Sequence, residues 1–404
     1  CLALGAAVPA QAQRPSVSPA DSARGGRRIE PVVVRGTRVA ATIGGASAVV
    51  VRPDSLPVPT QPAPTLEQVL RQTPFVLVRQ NSRGEVELSV RGSDSRQAAL
   101  TLDGMPLTIG WDHRSDASLV PTTGIRRLTV VRGLSSLLTG PNALGGVLAL
   151  ELNGPADGRG AVALGTGVDQ YAARVATGHG ELPLPLRGGT LTVRGGGAWR
   201  DRDGFALSRP DAGDPGVAGG AADPGAPTDA ALRTNTDLRH RDAFAAARWD
   251  AAGGAHLGLT LTAFDAARGV APEQHLAAPR FWRYPAATRR LGVLQGGTGE
   301  RRTPFGRGRI DATLGATTGD VTIESFTDRT YRTLASRELG AERATTGRLQ
   351  AEHSLPGLAR LRVGGTWSEV RYDETLDAQR ATPTAARYRQ RLSSMGAELS
   401  LPVG

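Results

Sequence analysis

The second half of the chain alternates apolar and polar side chains over long stretches, and this two-residue period is typical of strands with two different faces. Residues 310–317, for example, read Ile-Asp-Ala-Thr-Leu-Gly-Ala-Thr. The polar positions include Arg194 and Arg348. Such side chains are costly in lipid but acceptable in a wet lumen. Because a soluble β-sandwich also alternates, the period alone leaves the architecture open.

The lengths of the connections favour a transmembrane barrel. Strands are predicted near residues 160–167, 171–179, 188–201, 239–251, 255–266, 306–317, 320–332, 343–355, 358–372 and 386–401. Short turns are predicted at 252–254, 318–319 and 356–357, whereas the connections at 202–238 and 267–305 are long. Short turns at one end and long loops at the other are typical of membrane barrels, whose strands need about 9–11 residues to cross the hydrocarbon. The chain has no run of about 18 apolar residues, so membrane insertion would have to use strands.

A different pattern occupies residues 65–152. Thr65 and Gln68 have capping-box spacing before a short apolar helix that Pro74 ends. Val86, Leu88 and Val90 then alternate with polar residues, which predicts a strand with one buried face. The pair at 103–104 is Asp-Gly, which predicts a tight turn because glycine accepts a positive φ. These elements predict a small α+β unit.

The order of these motifs resembles the plug domain of TonB-dependent outer-membrane receptors. The residues that carry the resemblance are 70–74, 90–92, 102–106, 130–133 and 140–147. Two positions depart from the family pattern, Phe75 where the family usually has glycine and Leu134 where it usually has proline, and both concern local backbone geometry. The resemblance implies a mainly β protein in which an N-terminal α+β plug (65–153) precedes an incomplete antiparallel transmembrane β-barrel (154–404) of about 10 of 22 strands. The chain is therefore expected to be a fragment.

The N-terminal residues are interpreted as export and coupling segments. Residues 1–12 combine an apolar stretch with Ala-Gln-Ala, and we expect the remnant of a signal peptide with cleavage after Ala12. Residues 13–64 are rich in proline, alanine, arginine and serine, and are expected to be flexible. They contain an apolar island that resembles the family's TonB box, a segment suited to strand addition on a partner. An ordinary edge strand is the alternative. The box residues are Ile29, Glu30, Pro31, Val32, Val33, Val34 and Arg35.

Charge and composition exclude several classes of function. All 48 basic residues are arginine and the formal net charge is +10, but no arginine cluster is interleaved with aromatic residues, so a nucleic-acid partner is not expected. The single cysteine excludes disulfides and cysteine-based metal sites. The six histidines form no short-range ligand pair, and no catalytic motif occurs. We therefore predict a protein that is not an enzyme and has no cofactor or resident metal.

The resemblance also assigns candidate site residues. Three loops would face the substrate from the top of the plug, with arginines pairing to anionic groups of a chelate and Trp111 stacking on it. Their candidates are Arg83, Asp94, Arg96, Trp111, Asp112, His113 and Arg114. An ordered surface loop is the alternative for residues 111–116, and a bare metal site at Asp112, His113 and Asp116 is a weaker one. Arg91 and Arg132 would pair with glutamates of the barrel wall and anchor the plug.

We therefore predict an outer-membrane receptor that imports a scarce solute when TonB, the partner in the energy-coupling complex, pulls on the box and loosens the plug. The resemblance makes a ferric siderophore or another metal chelate the first candidate ligand, and leaves cobalamin, heme or a saccharide open. Two other functions remain open at this point. One is a ligand-binding or adhesion protein of the outer membrane without active transport, and the other is a soluble basic module that binds nucleic acid.

Overall fold

The structure is a computed structural model, and it describes residues 47–51, 65–81, 83–108, 115–132, 143–156, 158–168, 173–206, 232–273, 276, 278–355 and 359–401. The predicted signal segment, the predicted TonB box and residues 111–114 lie outside the described residues. None of the helices in the described ranges combines the length and the apolar character that crossing a membrane requires.

The first unit, called the plug below, comprises the described residues up to 153. Its elements are β1 (Ser47–Val51), α1 (Leu66–Arg71), β2 (Val76–Gln80), β3 (Val86–Val90), a 3₁₀ turn (Ser95–Gln97), β4 (Ala98–Leu102), β5 (Met105–Pro106), β6 (Arg127–Arg132) and β7 (Gly146–Glu151). One sheet has the order β1-β6-β7-β4-β5, and β2 and β3 form a separate hairpin. β4 and β7 are parallel, and the other neighbours are antiparallel.

The local predictions for the plug are confirmed. The side chain of Thr65 accepts a hydrogen bond from the Gln68 amide, and the Gln68 side chain accepts one from the Thr65 amide, so the capping box of α1 is complete. Asp103 and Gly104 have φ values of 47° and 85° between β4 and β5, as a two-residue turn between antiparallel strands requires. β1 lies within the segment that was expected to be flexible, and it pairs with β6.

The core of the plug forms where α1 packs over the strands. Buried apolar residues come from α1, from β3, β4, β6 and β7, and from the turn after β5; they include Leu66, Leu70, Leu88, Leu100, Leu128 and Leu148. Phe244, Leu291 and Val293 of the second unit belong to the same cluster. The apolar surface of the plug is therefore continuous with that of the second unit.

The second unit is a large antiparallel sheet, called the wall below. Its strands are β8 (Ala161–Val168), β9 (Arg174–Leu186), β10 (Gly189–Arg202), β13 (Leu238–Ala251), β14 (His256–Gly269), β15 (Phe281–Gly297), β17 (Gly306–Phe326), β18 (Leu334–Leu355), β19 (Ala359–Leu376) and β20 (Thr384–Ser400), with the short β16 (Arg301–Thr303) on β17. β11 (Phe205–Ala206) and β12 (Leu232–Arg233) pair with each other in a separate two-stranded sheet. The order runs from β20 to β8 without a crossover, as in an up-and-down barrel. The predicted fold class is confirmed.

Two details of the predicted strand order are wrong. Residues 281–297, which lie in the predicted long connection, form β15. The sequence pattern does not reveal this strand because Pro285 and two adjacent arginines interrupt its apolar period. The sheet accommodates the proline at a register shift between Arg283 and Ala286. The predicted turn at Thr318-Gly319 is not formed. Both residues lie inside β17, where Thr318 pairs with Arg290 of β15 and Gly319 pairs with Arg289 of β15. The two errors offset each other, which is why the predicted strand number of ten still agrees with the main path of the sheet.

The side chains of the wall alternate between a face that contacts the plug and a face that points away from it. In β14, Thr260 is fully buried against the plug, whereas Leu257, Leu259 and Leu261 are 56%, 44% and 49% exposed on the other face. A sheet with one wet, plug-facing surface and one apolar outer surface matches the pattern of membrane barrels.

Candidate functional site

The plug is attached to the wall by a buried ion pair. Nη2 of Arg268, on β14, lies 2.7 Å from Oδ2 of Asp116, and the two side chains are only 7% and 1% exposed. Arg268 also donates to the Gly84 carbonyl at 2.6 Å and to the Ser118 hydroxyl at 2.9 Å. The other oxygen of Asp116 accepts from the Val86 amide at 3.0 Å. This pair holds two plug loops against one wall strand.

A second attachment is built on Asp103, in the turn between β4 and β5. Its Oδ1 accepts hydrogen bonds from the amides of Leu152 and Asn153 at 2.9 and 3.2 Å, and its Oδ2 accepts one from the Thr260 hydroxyl at 2.7 Å. The Asn153 side-chain amide donates to backbone carbonyls of β13 and β14 at 3.2 and 3.0 Å. The point where the chain leaves the plug is therefore tied to both the plug turn and the wall.

Asp103 should make the stability of the plug depend on pH. Burial raises the pKa of Asp103 above its ordinary value of 3.8, although its three hydrogen-bond donors oppose the shift. Between 3.8 and the folded-state pKa, the folded protein holds a proton that the unfolded chain has lost, so the free energy of unfolding falls as the pH rises through this window. We expect Asp103→Asn to remove this contribution while keeping the turn, since asparagine tolerates a positive φ.

The measurement is denaturant unfolding of both proteins from about pH 4 to pH 8, with the stability difference between wild type and Asp103→Asn as the readout. The free energy of unfolding of the wild type, relative to that of Asp103→Asn, should fall as the pH rises and become constant above the folded-state pKa. A difference that favours the wild type more at higher pH would instead mean that the hydrogen bonds outweigh burial.

A third set of contacts joins the plug to β9 and β10. The guanidinium of Arg194 donates to the Gly124 carbonyl at 2.8 Å and also to the Leu152 carbonyl. Glu181 lies 3.1 Å from Nε of Arg194 and also pairs with Arg126 of the plug. In the first and third attachments both the plug and the wall contribute charged groups, whereas in the second the only charged group is Asp103 of the plug. The wall residues of the three attachments come from β9, β10, β13 and β14.

The two residues predicted to anchor the plug are not part of these contacts. Arg91 is exposed in the turn after β3 with a φ of 58°, and it has no ion pair among the described residues. The guanidinium carbon of Arg132 lies 3.5 Å from the ring centroid of Phe75, which itself has a φ of 71°. A pairing of Arg91 or Arg132 with wall glutamates stays a prediction. The sequence missed Arg268 because that residue lies at the end of a strand with no distinctive motif.

A cavity of about 420 Å³ lies between the plug and the wall. Its wall residues come from the ends of β14, β15, β17, β18 and β19 that carry the connections at 270–280, 327–333 and 377–383. The lining combines apolar and aromatic surface with charged groups and includes Arg83, Arg96, Leu119, Phe264, Tyr284 and Glu374. Tyr284 is only 4% exposed, and its hydroxyl has no hydrogen-bond partner among the described residues. A solute that enters here would meet a donor and acceptor already removed from water.

The structure separates the predicted ligand residues into three groups. Arg83 and Arg96 both line the cavity, and Arg83 lies 5.3 Å from the ring centroid of Trp282. Asp94 is exposed and caps the 3₁₀ turn by accepting from the Arg96 amide at 3.0 Å, so the structure gives it a local structural role. Trp111, Asp112, His113 and Arg114 lie outside the described residues. The sequence missed Tyr284 because β15 was interpreted as part of a loop.

The described residues contain no cluster of three or more histidine, cysteine, aspartate or glutamate side chains that could hold a metal ion. Asp116, one residue of the weaker metal-site alternative, is instead paired with Arg268. Its other two residues lie outside the described part of the chain.

Residues 46–147 match the family model described as TonB-dependent Receptor Plug Domain. This chain carries a TonB-dependent receptor plug domain. The matched range begins at β1 and ends in β7, so it coincides with the sheet of the plug. The predicted resemblance to TonB-dependent receptors is confirmed.

Relatives with known roles match over less than a third of this chain. The Vitamin B12 transporter BtuB of Photobacterium profundum is 34% identical over 124 residues, which cover 30% of this chain and 20% of that protein. The Hemin receptor of Yersinia pestis is 35% identical over 99 residues, which cover 24% of this chain and 14% of that protein.

Solved structures extend the likeness to the wall. The Copper transporter OprC matches with a TM-score of 0.64 at 15% identity, over 88% of this chain and 52% of that one. The ferric enterobactin receptor PfeA in complex with BCV-L6 matches with a TM-score of 0.61 at 17% identity, over 88% of this chain and 56% of that one. This chain therefore spans about half the length of the structures it matches, and the likeness concerns the fold.

The comparisons decide two further points. The relatives and structural neighbours named above are transporters and receptors, which agrees with the prediction that this protein is not an enzyme. The plug family and the antiparallel wall together imply a location in the outer membrane.

Proposed function

We propose that this protein is a receptor that binds a scarce solute in the cavity between the plug and the wall, and imports it when TonB pulls on residues 29–36. The observation that carries the proposal is the position of the cavity, which is bounded on one side by plug loops and on the other by the wall. A solute bound there contacts Arg83 and Arg96 of the plug together with Tyr284 of the wall. Movement of the plug therefore changes the binding site itself.

The contacts that attach the plug to the wall explain why transport needs an external force. Asp116, Asp103 and Asn153 tie the plug to β13 and β14 through buried contacts, so a path past the plug opens only if some of them separate. Breaking buried charged contacts is costly, which is why an external force from an energised partner is needed. The acidic residue and valine run of the proposed box suit strand addition to that partner.

The cargo that we propose first is a ferric siderophore or another metal chelate. Arginine pairs well with carboxylate and other anionic oxygens of such ligands, and Arg83 and Arg96 supply two guanidiniums at the cavity. Residues 111–114 are proposed as further contacts. Growth of a deletion strain on a panel of chelated metals, cobalamin and heme identifies the cargo.

Export through a cleaved signal peptide is also part of the proposal. The mature N-terminus is expected at Gln13, and N-terminal sequencing of receptor purified from outer membranes measures it directly.

Deletion of residues 29–36 is the test of energised transport. We expect uptake of radiolabelled cargo to fall to the level of a strain without TonB, while cargo binding to purified receptor is unchanged, because the deletion leaves the cavity intact. Deletion of residues 13–20, which have the same length and lie in the same proposed flexible segment, is the matched control and should preserve uptake. If the undeleted receptor binds cargo but shows no TonB-dependent uptake, it is a binding or adhesion protein without active transport. Uptake that survives the deletion of 29–36 would show that these residues are not the coupling segment.

A further inference from the structure

The outer face of the wall carries a cluster of arginines, called the basic belt below. Its members are Arg290 on β15, Arg343 on β18, Arg371 on β19, and Arg387, Arg389 and Arg391 on β20. None of them was assigned a role by the sequence, and none lies at the cavity above the plug. They form a concentrated positive surface on the side of the sheet away from the plug.

Their direction follows from their neighbours along each strand. Arg289 and Leu291 flank Arg290, and Arg289 donates to the Thr108 carbonyl of the plug while Leu291 belongs to the core cluster shared with the plug. Tyr372 follows Arg371 and is only 8% exposed, whereas the side chain of Arg371 is 61% exposed. Because successive strand residues point to opposite faces, the belt arginines point outward.

The register of the sheet places four of the six arginines in one row. Arg290 pairs with Thr318, Thr318 with Arg343, Arg343 with Arg371, and Arg371 with Arg389. Residues directly opposite each other on adjacent strands have Cβ atoms about 5 Å apart, and like charges in such positions repel. Three adjacent strands therefore hold three guanidiniums in direct opposition.

The nearby carboxylates neutralise only part of this charge. Glu369 pairs with Arg371, Arg389 and Arg391 at 2.7, 3.0 and 2.8 Å. Asp373 pairs with Arg387 at 3.3 Å. Asp320 is the third outward carboxylate near the belt, and it lies opposite Thr288 and Ala341 on the neighbouring strands. Arg290 and Arg343 have no ion pair among the described residues, and the belt keeps more arginines than carboxylates.

The belt lies at the border of an uncharged outer surface. Towards the short connections, the outward positions of the same strands include Leu314, Trp367, Leu349 and Met395, which are 54%, 43%, 56% and 90% exposed. These are the residues expected to face hydrocarbon in a membrane barrel, whose apolar band is about 25 Å tall. The belt follows this band on the side of the long connections. In a membrane, that border is the level of the lipid headgroups.

A groove crosses β13, β14, β15 and β17 at the level of Arg290, which is one of its lining residues. It has a volume of about 540 Å³ and is open to the outside, and its outward lining consists of small residues together with Leu261, Arg290 and Thr318. The small residues are Ala243, Ala245, Ala263, Gly292 and Ala316. The arrangement offers an apolar groove whose lining includes an arginine that has no ion pair within the described part of the chain.

We propose that the belt and the groove bind a phosphorylated lipid, with a headgroup phosphate on Arg290 and Arg343 and an acyl chain in the groove. The proposal rests on the outer-membrane location in the proposed function. A phosphate offers several strong acceptor oxygens, which match the fork of donors on each guanidinium. An anion bound at Arg343 also reduces the repulsion between Arg343 and Arg371, which lie directly opposite each other. The lipid would fix the depth and rotation of the barrel at that point of its circumference.

The test is lipid binding to intact receptor in detergent, measured by native mass spectrometry. Dimyristoyl phosphatidate is the probe, and dimyristoyl phosphatidylcholine, which has the same acyl chains, is the comparison lipid. We expect wild type to prefer phosphatidate, and R290Q/R343Q to lose about 30-fold in phosphatidate affinity, since each basic residue near a lipid surface contributes about 1 kcal/mol. Affinity for phosphatidylcholine should stay within experimental error.

Two matched variants complete the design. R290K/R343K keeps both charges and should retain most of the affinity, which separates loss of charge from misfolding. R337Q removes an outward arginine that already pairs with Glu324 at 2.6 Å and should leave binding unchanged. Equal affinity of wild type for the two lipids, or equal phosphatidate affinity in R290Q/R343Q and wild type, would overturn the proposal.

Displacement of the lipid by inorganic phosphate at equal concentration would assign the belt to free anions and would also overturn it. The assay needs neither TonB nor cargo. A negative lipid-binding result therefore does not contradict the transport proposal, and a negative transport result does not contradict the lipid-binding result.

Discussion

Replacing Arg268 by methionine should destabilise the docked plug by about 3–5 kcal/mol, because it leaves the carboxylate of Asp116 buried without its cation. Asp116 is 1% exposed and Arg268 is 7% exposed, so water cannot take the place of the guanidinium. Methionine keeps much of the volume and the packing of the arginine stem. The loss therefore reports on the charge and its hydrogen bonds.

Hydrogen exchange at the Val86 amide measures this effect locally. That amide donates to Asp116 at 3.0 Å, so its protection from exchange depends on whether the loop that carries Asp116 stays in place. The double variant R268M/D116N removes both charges and should recover much of the loss, since a neutral pair leaves no buried ion. If the double variant is as unstable as the single one, the buried charge is not the cause.

Arg283→Met is the matched control for solvent exposure. Arg283 pairs with Asp237 at 2.6 Å, but the two side chains are 32% and 38% exposed. Exposed pairs contribute about 0–1 kcal/mol, so this variant should change the same amide little. In cells, the proposed function adds a second readout: a loosened plug in R268M should admit a large antibiotic that the wild-type outer membrane excludes.

Gly124→Ala is expected to displace the plug from the wall. Gly124 has a φ of 76°, and a Cβ there would lie 2.1 Å from Cζ and 2.2 Å from Cε1 of Phe244. Phe244 is a buried residue of β13 with 6% exposure, so its ring has little room to move. Forcing extra volume into a packed site costs about 1–3 kcal/mol, in addition to the cost of alanine at a left-handed φ.

Gly92→Ala separates the two contributions. Gly92 has the same φ of 76°, but a Cβ there meets nothing within 4 Å. Both variants should lose about 1 kcal/mol from backbone strain, and only Gly124→Ala should lose the further amount from the clash. Denaturant unfolding of the plug measures both losses, and Phe244→Leu in the Gly124→Ala background should restore part of the stability. Equal losses in the two glycine variants would show that the plug relaxes around the new methyl group.

The same residues illustrate how far a sequence alone reaches. Local chemistry predicted the capping box at Thr65 and the turn at Asp103-Gly104, because each depends on residues a few positions apart. The wall strands were predicted where the two-residue period is uninterrupted. β15 was missed where Pro285 and Arg290 interrupt that period, and neighbouring strands on both sides nevertheless pair with it.

The sequence by itself determined the α+β plug, its family, and a β-sheet unit with one polar and one apolar face, because these properties follow from short-range spacing. Only the tertiary structure decided which charges meet across the interface and which end of the sheet bears the cavity. Asp116 and Arg268 are 152 residues apart in the chain, and Asp103 and Thr260 are 157 apart. Contacts over such distances depend on strand register and docking, and no local pattern records them.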